Sequence, residues 1–268
     1  MRRTRVLLLA AGLSLAATTG LAQDSTSDGL AQYREMMEDD NPADLWELRG
    51  AGLWKAKRGP KDASLEQCDL GLGPGVVAGA YARLPRYFAD TDKVQDLESR
   101  LVTCMMTLQG FSFEEATRHP FASGGEKSDM EALVTWIAAE SRGEKIQVST
   151  AHPKEKEAYE VGKRIFFFRA GPHDFGCVTC HSLDGRRIRL QDLPNLTTPE
   201  GAREAFSSWP AYRVSQGEVR TMQHRLNDCF RQQRLPNARY VSDAITALTM
   251  YLAVNANDGE MNAPALKR

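Results

Sequence analysis

Cys177-Val178-Thr179-Cys180-His181 says most about how this chain folds. Two thiols three positions apart, followed at once by a histidine, form the C-x-x-C-H attachment signature of a c-type haem. The thiols add across the porphyrin vinyl groups, and the histidine is thereby pinned beneath the iron. Other uses of a C-x-x-C pair need other surroundings. A thioredoxin-like redox pair wants a βαβ setting, and a zinc site wants a second Cys/His cluster; the sequence offers neither. One covalent haem c is expected, attached through Cys177 and Cys180 with His181 as an axial ligand.

Beyond that motif the chain repeats itself. A shift of 112 residues lays 50–73 on 162–185 without a gap. Gly50, Gly59, Pro60, Asp62, Cys68 and Gly73 then fall on Gly162, Gly171, Pro172, Asp174, Cys180 and Gly185. A shift of 125 lays 84–104 on 209–229, so that Pro85, Tyr87, Val94, Arg100, Leu101 and Cys104 recur as Pro210, Tyr212, Val219, Arg225, Leu226 and Cys229. The common order of both blocks points to duplication of one domain. Under the first shift Leu65 stands where Cys177 does and Asp69 where His181 does. Only Cys68 survives of the three attachment residues, so the first copy is expected to keep the frame without haem.

Helices bracket each copy. Gly50 and Trp54, like Gly162 and Phe166, are four apart and share a helix face, the small residue letting another helix cross closely. The partners are a helix carrying Leu133, Trp136 and Ile137 behind the capping-box signature Ser128-Asp129-Met130-Glu131, and one carrying Ile245, Leu248, Tyr251 and Leu252 behind Ser242. The polar segment 141–153 reads as a linker and the tail from Gly259 as loose. The expected fold is mainly α: two tandem class I cytochrome c-like domains, 24–142 without haem and 152–257 with it. The C-x-x-C-H domain resembles a class I cytochrome c, whose opening and closing helices cross at such small and aromatic positions.

The chain has five cysteines, an odd number. Positions 219–234 read as a helix with Met222, Leu226, Cys229 and Phe230 on one face. That part of the domain normally supplies the second axial ligand, so Cys229 reads as iron ligand and reactive thiol; the plainer reading is a buried apolar residue. Met222, Met250, His173 and His224 are the other candidate ligands, and a methionine would make a simple electron carrier. Cys104, the counterpart of Cys229, faces Cys68 with no haem between, so the two thiols can join. The disulfide would close a loop of about 36 residues and contribute roughly 3–4 kcal/mol. Arg225 lies one turn before Cys229, where a guanidinium would lower the thiol pKa and hold an oxyanion in a two-pronged hydrogen bond. Arg100 keeps the same offset from Cys104, so Arg225 also reads as inherited scaffold. Arg220, Arg231, Arg234 and His224 read either as a positive approach or as a solvated face, and Arg186-Arg187-Ile188-Arg189 either as a docking patch or as a solvated loop.

The 268 residues are 26% charged and 42% hydrophobic, a globular composition. Arg2, Arg3 and Arg5, the apolar run Val6–Leu15 and the small residues Gly20 and Ala22 read as a signal peptide over 1–22, which implies export to the periplasm. Its removal takes Lys+Arg from 34 to 31 against 35 Asp+Glu, a net charge of −4, which argues against a nucleic-acid surface. No later run approaches a membrane span.

C-V-T-C-H at 177–181, H-R-L-N-D-C-F-R-Q-Q-R at 224–234, C-D-L-G-L-G-P-G at 68–75 and L-P-R-Y-F at 84–88 together resemble the SoxA family, catalytic cytochrome subunits of the SoxAX complex of thiosulfate oxidation. The resemblance covers nearly the whole mature chain. It implies an L-cysteine S-thiosulfotransferase that oxidatively joins thiosulfate to a cysteine of the carrier protein SoxYZ, two electrons leaving through c-type haem to an accepting cytochrome c. It implies that Cys229 binds the iron and carries a persulfide, that Arg225 contacts substrate, and that the smaller cytochrome SoxX completes a heterodimer. Some members carry two haems; Leu65 and Asp69 place this chain with the single-haem type that has the disulfide.

Overall fold

The structure, a computed structural model, describes residues 40–267 except 124, 125, 189 and 190, together with 29, 32, 33 and 36. The expected signal peptide at 1–22 and Arg189 of the arginine loop lie outside the described residues. The first half runs through α1 (Asp44–Lys55), the hairpin β1 (Arg86–Phe88) and β2 (Lys93–Gln95), α2 (Leu97–Cys104), the short α3 (Phe113–Ala116) and α4 (Asp129–Ala139). The second half runs through α5 (Pro153–Phe167), α6 (Cys177–His181), the hairpin β3 (Arg187–Ile188) and β4 (Gln191–Asp192), and α7 (Pro199–Ser207). The hairpin β5 (Ala211–Arg213) and β6 (Glu218–Arg220), α8 (Met222–Gln232), α9 (Asp243–Asn255) and β7 (Ala265–Lys267) complete it, β7 lying parallel to β5.

The two internal shifts are matched by local structure at several places, although 177–181 is helical where 65–69 is turn. Arg86 pairs with Gln95 as Ala211 pairs with Arg220. Asp96 caps α2 by accepting from the Ser99 amide, as Thr221 caps α8 by accepting from that of His224. Arg58 bridges Ala63 around Asp62 (φ 46°), and Ala170 bridges Phe175 around Asp174 (φ 48°). The bracketing helices cross at their glycines. A Cβ on Gly50 would sit 2.1 Å from the Ala132 carbonyl oxygen, and one on Gly162 would sit 1.9 Å from that of Ala247. The aromatic partners then meet, Trp54 on Trp136 at 5.6 Å and Phe166 on Tyr251 at 5.1 Å between ring centres. Leu65, Leu101, Leu133 and Ile137 in one half and Phe166, Ile245 and Leu248 in the other are fully buried around these crossings.

From Asn41 onward the chain forms one compact unit, and a polar seam joins its halves. The N-termini of α2 and α8 meet there, each with the positive end of its dipole toward the seam. Buried carboxylates fill the space between. Gln223 donates from Nε2 to Asp96 (2.6 Å) and from its amide to Glu98 (3.3 Å), while His224 Nδ1 lies 2.6 Å from Glu131. Glu131 therefore does not close a capping box on Ser128; its carboxylate accepts the Ala122 amide and turns into the seam.

Three expectations are corrected. The segment 219–234 begins as strand, Glu218–Arg220, and only then becomes helix, because a three-residue strand has no room to show an alternation of its own. The supposed linker is packed: Ile146 and Val148 are buried, and the amides of Ile146 and Gln147 donate to the carbonyls of Gly259 and Ala82, one from each half. The tail is held too, with Met261, Ala263 and Leu266 buried and β7 completing a three-stranded sheet.

Candidate functional site

Helix α6 sets Cys177 and Cys180 one turn apart and ends on His181. The ring of His181 is held from behind: Nδ1–H donates to the Pro194 carbonyl at 2.9 Å. That bond fixes the tautomer and leaves the Nε2 lone pair free as a ligand. Burial, with a smaller push from the positive charge of Arg225, holds the ring below its usual pKa against the opposing bond to Pro194.

These residues open on a cavity of about 220 Å³ walled by Phe166, Leu196, Trp209, Leu226, Leu248 and Leu252. Helix α8 forms the opposing wall and presents Met222, Arg225, Leu226, Cys229 and Phe230 to it, the face that the periodicity picks out. Cys177, Cys180 and Cys229 are the free cysteines and all three line this one space. Among the described residues no three His, Cys, Asp or Glu side chains gather as a bare metal site would need. The donor set fits a haem instead: two thiols at i and i+3, an oriented imidazole, a facing sulfur and an apolar slot. Cys177 and Cys180 would carry it and His181 would hold the iron.

In the first half the equivalent thiols are joined. Cys68 and Cys104 form a disulfide with a Cα–Cα distance of 5.6 Å. The position shared by Cys104 and Cys229 therefore reaches across to the position shared by Cys68 and Cys180.

Burial dominates the electrostatics. It pushes the Cys177 thiol up to about 12 and raises that of Cys229. Arg225 does pull the Cys229 thiol down, with help from Arg213, but desolvation outweighs both. The expected lowering is thus present as a contribution and reversed in the sum. The expected positive approach is also built differently. Arg220 pairs with Glu218 and Asp228, Arg231 pairs with Asp228, and His224 is spent on Glu131. Arg234 is exposed and absent from the cavity wall. The cations that do line the cavity are Arg213, Arg225 and Lys267. Arg213, on β5, escaped the sequence reading, although the 125-residue shift sets it against Phe88 and so marks it as a difference between the halves.

Of the alternative ligands, Met222 lines the cavity, Met250 is wholly buried away from it, His173 is exposed and His224 faces the seam. Among the described residues no helix is long and apolar enough to cross a membrane.

Comparison with known proteins places these features in context. The family profile described as SoxA/TsdA, cytochrome c domain, matches residues 49–146, the half without C-x-x-C-H. The L-cysteine S-thiosulfotransferase subunit SoxA of Hydrogenophilus thermoluteolus is 54% identical over 269 residues, covering 99% of this chain and 98% of that protein. The protein of the same description from Hydrogenobacter thermophilus is 31% identical, covering 92% and 91%. The crystal structure of SoxXA from P. pantotrophus superposes with a TM-score of 0.72 at 26% identity, covering 88% of this chain and 84% of that one.

Proposed function

The chain belongs to the SoxA family of L-cysteine S-thiosulfotransferase subunits, and we propose that it conjugates thiosulfate to a cysteine of a SoxYZ-type carrier through Cys229. In this reading residues 24–142 and 152–257 are tandem cytochrome c-like domains. The first would lack haem, and the second would carry one haem c on Cys177 and Cys180, with His181 and Cys229 as the residues that would hold its iron. The chain works in the periplasm as the partner of a SoxX-type cytochrome; the disulfide suits such an oxidising compartment. The observation that carries the reading is the cavity shared by Cys229 and the C-x-x-C-H residues, the counterparts of Cys229 and Cys180 in the first half, Cys104 and Cys68, being bonded to each other.

When bound, haem c supplies a one-electron redox centre beside the Cys229 sulfur. The residues supply the rest. Arg225 holds the sulfonate oxygens of thiosulfate so that its outer sulfur meets the sulfur of Cys229. An S–S bond forms between them as two electrons leave one at a time, taken up by two equivalents of an accepting one-electron c-type cytochrome. The carrier thiolate then attacks the sulfane sulfur of the adduct, and Cys229 departs as thiolate. In sum, one carrier thiol and one thiosulfate give the carrier S-thiosulfonate, one proton and two electrons. The apolar walls exclude water, which limits loss of the adduct to hydrolysis.

A second reading has an observation of its own: Met222 lines the same cavity, so a methionine-ligated electron carrier is the alternative. Cys229→Ala separates the two. Thiosulfate-dependent turnover should vanish while haem attachment persists, and the ferric spectrum should lose its thiolate character. Undiminished turnover, or a methionine–iron charge-transfer band in the unmodified protein, would make it an electron carrier. Intact-mass analysis before and after alkylation counts haems, free thiols and added sulfur in one measurement.

A further inference from the structure

Arg225 and Arg100 occupy equivalent positions, yet their surroundings have been exchanged. In the first half Arg100 is fully committed. Its Nε donates to the Asp69 carbonyl at 2.6 Å, its Nη1 binds both carboxylate oxygens of Asp90 at 2.9 and 2.7 Å, and its guanidinium carbon lies 4.1 Å from the centre of the Phe88 ring. Under the 125-residue shift Phe88 becomes Arg213 and Asp90 becomes Ser215. The backbone between them is conserved in form. The strands Arg86–Phe88 and Ala211–Arg213 pair in the same register, and the turns that follow have equal length and a left-handed residue at the same place, Asp92 (φ 54°) and Gly217 (φ 68°).

The second half has thus lost the carboxylate that neutralises this arginine and gained a second cation where the aromatic lid stood. Arg213 and Arg225 both line the cavity with Cys229, and among the described residues neither has an ion-pair partner. Arg213 donates from Nε only to Gln216, at 3.3 Å. Two half-buried guanidiniums lining one cavity repel each other, and burial, then Arg225 and Arg220, brings Arg213 down to about 10. An anionic ligand in the cavity would relieve that repulsion.

We propose that Arg213 is the second prong of a dianion clamp with Arg225 and makes the cavity select doubly charged sulfur oxoanions over singly charged anions. One guanidinium satisfies one charge, and the second is what a monoanion leaves unpaired. The proposal rests on the thiosulfate-conjugating reading above and adds the residue that sets its anion preference.

The test uses the haem-loaded protein with its cytochrome partner and two readouts, steady-state kinetics with thiosulfate and calorimetric titration with thiosulfate, sulfate and nitrate. Arg213→Gln should weaken binding of both dianions about tenfold or more and raise the KM for thiosulfate similarly, with kcat within about twofold and nitrate binding unchanged. Arg213→Lys should recover part of the loss. Ser215→Asp, a change in an exposed turn that restores the carboxylate used by Arg100, should also weaken dianion binding with both arginines still in place. Dianion affinity unaltered by Arg213→Gln, or equal losses for nitrate and sulfate, would overturn the clamp. Dianion binding that depends on Arg213 in a protein unable to turn over thiosulfate would sustain the clamp and sink the catalytic reading instead.

Discussion

At Cys229 burial raises the thiol pKa while Arg225 and Arg213 lower it, and burial prevails. The free thiol is therefore kept protonated and inert until something stabilises its anion, which is the role of the iron in the proposed site. The contrast between the two equivalent arginines follows the same logic. Arg100 is 5% exposed and tied to Asp90 and the Asp69 carbonyl, so Arg100→Ala should cost about 2 kcal/mol in denaturant unfolding and leave thiosulfate turnover nearly unchanged. Arg225→Ala should do the reverse, leaving the unfolding midpoint in place and raising the KM for thiosulfate. Equal effects in the two assays would mean that both arginines are scaffold. Arg225 was legible from its spacing to Cys229, but its difference from Arg100 was not, because the difference lies in neighbours on another element.

Among the elements, the glycine crossings have the least room to yield. Gly162→Ala puts a methyl against the Ala247 carbonyl, a backbone atom that moves only with all of α9. The expected loss is about 1–3 kcal/mol, read by thermal unfolding, with less haem incorporated per chain because α5 and α9 both wall the cavity. These crossings were readable because a small and an aromatic residue four apart leave a mark in the spacing of a helix. The strands were not, since three residues carry no period. The disulfide ties the end of α2, at Cys104, to the loop that carries Cys68. Replacing Cys68 and Cys104 by serine should cost about 3–4 kcal/mol, and peptide mapping without reductant should find the two residues linked. A double variant as stable as the parent would show that packing alone holds the first half.

The molecule as a whole is joined through a buried polar seam whose protonation sets its pH range. Burial raises Glu131 from 4.5 to about 8 and lowers His224 from 6.5 to about 4, so between those limits the contacting pair shares one proton. Glu98, Tyr240, Glu218, Arg220, Asp228 and Arg231 act electrostatically on the pair. Above pH 6.5 the folded state keeps a proton on Glu131 that the unfolded chain has released, so stability falls as pH rises toward 8. Below 6.5 the unfolded chain gains a proton at His224 that the folded state lacks until about pH 4, which offsets the contribution of Glu131. Stability measured by denaturant should therefore decline between about pH 6.5 and 8, and Glu131→Gln should flatten that decline. A variant with the parent's slope would place the titration elsewhere, Asp96 and Glu98 being the next candidates since burial raises both.

The amino-acid sequence was enough to pick out the C-x-x-C-H motif, the internal repeat, the pairing of Cys68 with Cys104 and the glycine crossings. All of these are matters of residue type at short or repeated spacing, and covalent chemistry and helical periodicity make such spacing informative. The folded chain alone brought Glu131 to His224, 93 positions away, and Gln223 to Asp96, 127 positions away. It also turned the expected linker and tail into packed structure and set Arg213 in the wall with Arg225. Contacts at such separations follow from how whole elements pack, and packing against a distant partner leaves no period in the chain that makes it.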